Sequence, residues 1–191
     1  LSVDERTGCS GLTISRQDPR VLFAGTWEVK MATHGMWSGG PGSGVYKTSD
    51  AGETWTRMTH PGLPKSPVGK IDVSVAPSDG NRVYALIQTA DQGSLWRSDD
   101  AGATRRVQNW QRPLVGRAGF YIRLEVMPNN PDEILLANST FFQSTDGGKT
   151  FIERPWGGDN HDMWIGPTNA DHFGTTNDAG ARVTATHGVQ M

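Results

Sequence analysis

The chain has 191 residues, 35% of them hydrophobic, a formal net charge of −2 and a mean hydropathy of −0.51. That length supports one sizeable core, and no apolar run approaches what a membrane-spanning helix needs. No block of Lys or Arg is present, which excludes a phosphate-tracking nucleic-acid surface from the expectations.

From the N-terminus, residues 1–8 read as the run-in to a strand. The sequence starts at Leu1 without a basic-then-apolar leader, so the expectation is a removed leader or an N-terminus inside a longer protein. Cys9 is the sole cysteine, which excludes an intrachain disulfide; beside an inner strand it is expected as a buried, inert thiol. A polar turn at 15–21 leads into a strand at 22–27. Residues 28–43 then hold a Gly-rich insertion with His34, Met36 and Trp37, where a rigid scaffold usually carries function. A strand at 44–47 runs into Thr48-Ser49-Asp50-Ala51-Gly52-Glu53-Thr54-Trp55.

That octet recurs. Ser98-Asp99-Asp100-Ala101-Gly102-Ala103-Thr104-Arg105 and Ser144-Thr145-Asp146-Gly147-Gly148-Lys149-Thr150-Phe151 share its pattern, Ser/Thr-x-Asp-x-Gly-x-Thr-aromatic. Arg105 stands in the aromatic's place, and a last copy beginning at Thr184 keeps only the Thr and Gly188. Starts at 48, 98, 144 and 184 give a period of a repeat architecture. The chemistry is that of a turn. Asp accepts backbone N–H bonds from residues just ahead, and Gly supplies a positive φ. Asp50, Gly52, Asp100, Gly102, Asp146 and Gly148 are therefore expected to be structural. No Glu closes a twelve-residue loop, so calcium binding is disfavoured.

A second turn motif, rich in Pro, Asn and Asp, recurs at 76–83, 127–134 and 166–173, each between strands. Every unit then has strands A to D; in the second these are 71–75, 83–88, 93–97 and 105–108. The fold class predicted is all-β, a β-propeller of four-stranded blades with about four present (1–58, 69–108, 120–154 and 161–191). Residues 1–191 form one domain, a partial propeller to be completed by further blades or other chains, since an open array leaves sheet edges unprotected.

The octet resembles the Asp box, or BNR repeat, of sialidases, xyloglucanase-type glycoside hydrolases, the sortilin/VPS10 ectodomain and photosystem II assembly factors. Trp37-Ser38-Gly39-Gly40-Pro41-Gly42-Ser43-Gly44-Val45-Tyr46-Lys47 and Gly158-Asp159-Asn160-His161-Asp162-Met163-Trp164-Ile165 are similar to bacterial VPS10/sortilin-like proteins labelled glycosyl hydrolases. The resemblance implies a propeller and an extracellular or periplasmic location. It also implies a ligand site on the face opposite the Asp boxes. Activities differ among these families, so function is not inherited with fold.

On that opposite face, B–C and D–A connections carry the ligand-binding candidates Trp27, His34, Trp37, Trp110, Arg117, Tyr121, Arg123, Trp156 and His161, along with His60 and Arg112. Aromatic rings with polar edges suit sugars or partner side chains. Trp27 and Trp37 equally suit pinning the insertion, and Arg123 with Glu125 suits a channel ion-pair network ahead of a ligand site. Trp164 is expected in the core. His161-Asp162 reads as an acid/base pair, a metal ligand with its partner, or a hydrogen-bonded turn; no metal or cofactor is expected. Asn138-Ser139-Thr140 is a glycosylation acceptor only in a eukaryotic secretory pathway.

Two functions compete. One is binding of a protein, peptide or glycan. The other is glycoside hydrolysis by two carboxylates drawn from Asp159, Asp162 and Glu125. A sialidase is disfavoured, because its Arg-Ile-Pro segment and arginine triad are missing.

Overall fold

Four antiparallel sheets follow one another in chain order. The computed structural model describes residues 1–59 and 61–189; His60 and the end of the fourth octet, Gln190 and Met191, lie outside it. The first sheet holds β1 (Thr7–Ile14), β2 (Leu22–Ala32), β4 (Gly44–Thr48) and β5 (Thr56–Met58), with β3 (Gly35–Ser38) paired to the far end of β2. The second holds β6 (Ile71–Ala76), β7 (Asp79–Ile87), β8 (Leu95–Ser98) and β9 (Arg106–Asn109). The third holds β10 (Arg123–Val126), β11 (Ile134–Ala137), β12 (Thr140–Ser144) and β13 (Ile152–Gly158). The fourth has three strands, β14 (Asn160–Ile165), β15 (Phe173–Asn177) and β16 (Gly180–Thr184). Successive inner strands β1, β6, β10 and β14 pack side by side, so the sheets are blades around an axis. The chain is an all-β, four-blade propeller arrangement.

Both faces of an inner blade are buried, which is why its strands alternate apolar residues with small or polar ones rather than core with solvent. Phe23 of the first blade packs on Val73, Ala85 and Trp96 of the second. Tyr84 and Leu86 of the second meet Leu124, Leu136 and Phe142 of the third. Leu135, Phe141 and Trp156 of the third meet Met163 and Phe173 of the fourth. Each large side chain so covered contributes about 1.5–3 kcal/mol.

The Asp boxes fix the blade faces. In the first, the Thr54 N–H and hydroxyl donate to Asp50 (2.9 and 2.5 Å), and the Gly52 N–H donates to Thr48 Oγ1 (3.1 Å). Asp100 and Asp146 repeat this with Thr104 and Thr150. The residue before each glycine is left-handed, at Ala51, Ala101, Gly147 and His187. Its N–H donates to the A–B turn of its own blade, at the carbonyls of Arg20, Asn81, Asp132 and Asp171 (2.8–3.0 Å). A–B and C–D turns therefore share one face, as alternation requires. Across the axis on this face, Arg16 donates to the Pro167 carbonyl (3.1 Å).

Arg105 is no degradation of the box. Its Nη1 donates to the Gly102 carbonyl (2.8 Å), where the Trp55 indole N–H donates to Gly52 (3.0 Å). The fourth copy keeps both left-handed residues, His187 and Gly188, with Thr184 Oγ1 accepting from Gly188 (3.1 Å). Cys9 is exposed, contrary to its expected burial, because it lies beside a bulge between β1 and β2.

Gly102 combines a φ of +85° with a preceding blade pressed against it: a Cβ there lies 2.7 Å from Met58 Cε and 2.9 Å from Phe23 Cε1. Gly102→Ala should cost about 2–3 kcal/mol in urea unfolding.

The box carboxylates also set an acid limit. All three sit at about 2, against an ordinary 3.8. The Thr48 hydroxyl leads at Asp50 and the Thr104 hydroxyl at Asp100; at Asp146 partial burial opposes but the Thr150 bonds prevail. Lowered carboxyls stabilise fully above their unfolded value, and that stabilisation goes as pH falls through about 2. Urea midpoints should drop between pH 4 and pH 2, and Asp100→Asn should shrink the drop.

Candidate functional site

Aligned on their A–B turns, at positions 16, 77, 128 and 167, the inner strands superimpose in two layers facing the next blade. Five residues before the turn stand Gly11, Asp72, Arg123 and Asp162; three before it stand Thr13, Ser74, Glu125 and Trp164. Asp72 is buried, and its Oδ2 accepts from the Leu124 N–H of the third blade (2.8 Å). Gly11 makes this possible, since a Cβ there falls 2.2 Å from Asp72 Oδ1. Arg123 Nε pairs with Asp162 of the fourth blade (3.2 Å). Charges around this layer therefore run minus, plus, minus.

Burial pushes the Asp72 carboxyl up to about 6, against the pull of the Leu124 N–H and of Arg123. Glu125 keeps solvent contact, yet the channel walls crowd it. That desolvation, with Asp72 and Asp162 adding negative charge, pushes it up to about 7 while Arg123 opposes. Lys70 is lowered by burial and by Arg123.

Above this layer, the B–C and D–A connections build an aromatic and cationic surface. Lys70 lies over the Trp27 ring (5.0 Å) and donates to the Phe120 carbonyl (2.8 Å). Arg117 lies over Phe120 (5.1 Å) and Tyr121 (5.7 Å), and Tyr121 is 4.5 Å from the His161 ring. The Tyr121 hydroxyl donates to Asp159, which Arg117 also approaches (3.8 Å), and His161 meets Asp178 (3.0 Å). Of the expected residues, Trp27, Arg117, Tyr121, His161 and Asp159 thus come together, with Arg123, Asp162 and Glu125 beneath.

The insertion is a hairpin of β2 and β3. Its Met36 lies against Gly119, so it leans over the second blade toward the same surface. On the hairpin itself Lys30 lies over the Trp37 ring and His34 meets it edge-on. Trp27 donates its indole N–H to Ser38 Oγ (2.9 Å), pinning the hairpin base. Beside it a cleft of about 330 Å³ is lined by Ser38, Gly39, Gly69, Gln88, Thr89 and Arg112.

Other expectations are corrected. Trp156 is 5% exposed and packed between Phe141 and Phe173, because β13 runs on to Gly158 and draws it into the core; no ligand reaches it. Trp110 is exposed in a separate cleft of about 400 Å³ with Asp91 and Gln92. Trp164 is not core but 62% exposed, facing away from the third blade. Asn138 is fully buried with its amide donating to Pro113 and Leu114 carbonyls, so it is no glycosylation acceptor. Among the described residues no group of three or more His, Cys, Asp or Glu is placed to hold a metal. Sequence reasoning missed Asp72, Lys70 and Phe120. A carboxylate five residues before an A–B turn, in an otherwise apolar strand, was the available signal for Asp72.

By sequence the chain matches no family profile and no curated protein. Among solved structures it is similar to the GH74 xyloglucanase of Xanthomonas campestris, at 13% identity and a TM-score of 0.59, over 91% of this chain and 24% of that one. It is similar to YCF48 from Cyanidioschyzon merolae, at 11% identity and a TM-score of 0.59, over 98% of this chain and 56% of that one. A structure of YCF48 bound to D1 peptide matches at 12% identity and a TM-score of 0.56, over 93% and 49%. The chain thus spans a quarter to about half the length of these proteins. At such identities the likeness establishes the β-propeller fold, shared with GH74 xyloglucanases and YCF48.

Glu125 gives the channel a measurable signature. A carboxyl raised in the folded state stabilises fully below its unfolded pKa, and the effect is lost as pH rises through about 7. Stability should therefore decline from about pH 4.5 to 7, with Asp72 contributing up to about 6. Glu125→Gln should flatten that decline in denaturant titrations; an unchanged slope would show Glu125 to be freely solvated.

Proposed function

We propose that this propeller binds a polypeptide segment on the surface formed by its B–C and D–A connections. The observation that carries the reading is the continuous run Trp27–Lys70–Phe120–Arg117–Tyr121–His161, in which cations lie over aromatic rings. Aromatic residues, Met and Arg are the types enriched at interface centres, and here Phe120, Met36 and Trp37 stand in solvent beside them. YCF48, similar in fold, has been captured with a D1 peptide. Glycans remain ligands of the same chemistry, since stacked aromatic faces also suit sugar rings. An extracellular or periplasmic location belongs to this reading by sequence resemblance, and cell fractionation tests it.

A displayed random-peptide library supplies the probe. Enriched peptides should lose at least about tenfold in affinity, about 1.4 kcal/mol, on Arg117→Ala or Phe120→Ala, and none on Trp110→Ala. Equal affinities across all three variants would remove this surface from consideration.

Glycoside hydrolysis is the second reading, favoured by one observation: Glu125, raised to about 7, neighbours Asp162 in the channel. A carboxyl holding a proton near neutrality with a second carboxyl group nearby is the pairing that acid–base cleavage uses. Asp159 fits less well, as Tyr121 and Arg117 both hold it. Xyloglucan and β-glucan should release reducing ends, lost in Glu125→Gln and Asp162→Asn, if this reading is the right one.

A further inference from the structure

We propose that the cleft at the base of the β2–β3 hairpin is a carboxylate subsite of the peptide surface, an inference that rests on the peptide-binding reading. Four connections meet there. Ser38 and Gly39 end the hairpin, and Gly69 belongs to the D–A connection into the second blade. Gln88 and Thr89 open that blade's B–C connection, and Arg112 comes from the D–A connection into the third. The volume, about 330 Å³, is at the lower end of the range of small-ligand pockets.

Two glycines bring the walls of the cleft together. A Cβ at Gly39 falls 2.6 Å from the Val68 carbonyl oxygen, and one at Gly69 falls 2.0 Å from Gln88 Oε1. The Gln88 amide is oriented by that closure. Its Oε1 accepts from the Ser38 hydroxyl (2.6 Å) and the Lys70 N–H (3.2 Å), which leaves the NH2 end without a partner among the described residues. Ser38 in turn accepts from the Trp27 indole N–H (2.9 Å), tying the cleft to the first ring of the aromatic run.

The charge in the cleft is uncompensated. Arg117 and Arg123 are met by Asp159 and Asp162, and Arg16, Arg105 and Arg154 reach carbonyl or amide oxygens. Arg112 is exposed and meets neither among the described residues, and no described residue lining the cleft is acidic. A guanidinium and an amide NH2 only donate, so both call for an acceptor. A carboxylate is the acceptor that also balances the charge, and its two oxygens match the planar guanidinium fork. A polypeptide carries one on each Asp or Glu side chain and one at its C-terminus.

Peptides enriched on the wild-type protein from a library displayed with free C-termini test this. Those that lose affinity on Phe120→Ala should also lose about tenfold on Arg112→Gln, a change at an exposed side chain that holds no contact of the fold. Arg182 on β16 is likewise exposed and without a partner among the described residues, so Arg182→Gln makes the same change of net charge and should leave affinity unaltered. Converting the peptide's acidic side chains to amides, or amidating its C-terminus, separates the two sources. One of them should cost the wild-type protein about tenfold and cost Arg112→Gln nothing further. Peptides that depend on Phe120 yet bind Arg112→Gln as tightly as wild type overturn the subsite and leave the peptide surface standing. An equal loss on Arg182→Gln reduces the effect to net charge and overturns it as well. Peptides indifferent to both Phe120 and Arg117 remove the surface, and the subsite with it.

Discussion

A pair of consecutive left-handed residues at the end of each third strand holds the blades in order. The first of the pair turns its N–H onto the A–B turn of its own blade. The second, always glycine, presses its bare Cα on the blade before it: Gly102 on Met58 and Phe23, Gly148 on Leu95, Gly188 on Trp156. Carbonyls of the same turn accept from that preceding blade, Ala101 from Lys47 (2.7 Å) and Gly147 from Gln108 (2.9 Å). One turn thus ties strand to strand and blade to blade. Non-glycine residues in the left-handed well cost about 1–2 kcal/mol each, and Ala51, Ala101 and His187 occupy it. His187 offsets that cost by bonding Glu133 (2.7 Å) of the third blade.

This geometry explains which substitutions the turn absorbs. At the eighth position an indole or a guanidinium donates to the glycine carbonyl, whereas Phe151 of the third box only packs against the core. Arg105 reaches further, to the Thr59 and Pro61 carbonyls, and so adds an interblade tie that Trp55 lacks. At the first position Thr184 accepts from the Thr186 and Gly188 N–H groups in the fourth copy, as Thr48 accepts from Asp50 and Gly52 in the first.

The repeat, the shared face of the two turn types and the four-stranded unit were legible because each rests on local chemistry. Gly, Asp and Ser or Thr at fixed offsets describe a turn wherever it occurs. Burial of single residues was less legible, for a reason particular to radial sheets. Both faces of a blade are covered by neighbours, so alternation along a strand distinguishes the preceding neighbour from the following one, not core from solvent. Trp164 alternates as a core residue should, yet it points past the fourth blade. Trp156 sits where a loop was expected, and a register shift in β13 carries it inward. The position of Asp72 before its turn was a readable signal, but its partner, the Leu124 N–H, lies 52 residues away and was not.

The two faces of the propeller therefore differ in how completely their polar groups are engaged. On the Asp-box face, Arg82 and Arg97 share Asp99 and Asp132, joining second and third blades. That face is committed to holding blades together. On the other face, Asp159 takes the Tyr121 hydroxyl and Arg117, Asp162 takes Arg123, and Phe120 remains in solvent while Tyr121 is buried. Tying the acids down fixes the cations that stack on the rings, so the surface proposed to bind a peptide is already in place. Preorganisation of this kind lowers the ordering cost of binding, whereas hydrolysis needs a carboxyl free to pass a proton. Glu125 is bonded to the Ser74 hydroxyl and lies below the aromatic surface in the channel, so the proposed hydrolysis would need a ligand that reaches inward past the rings.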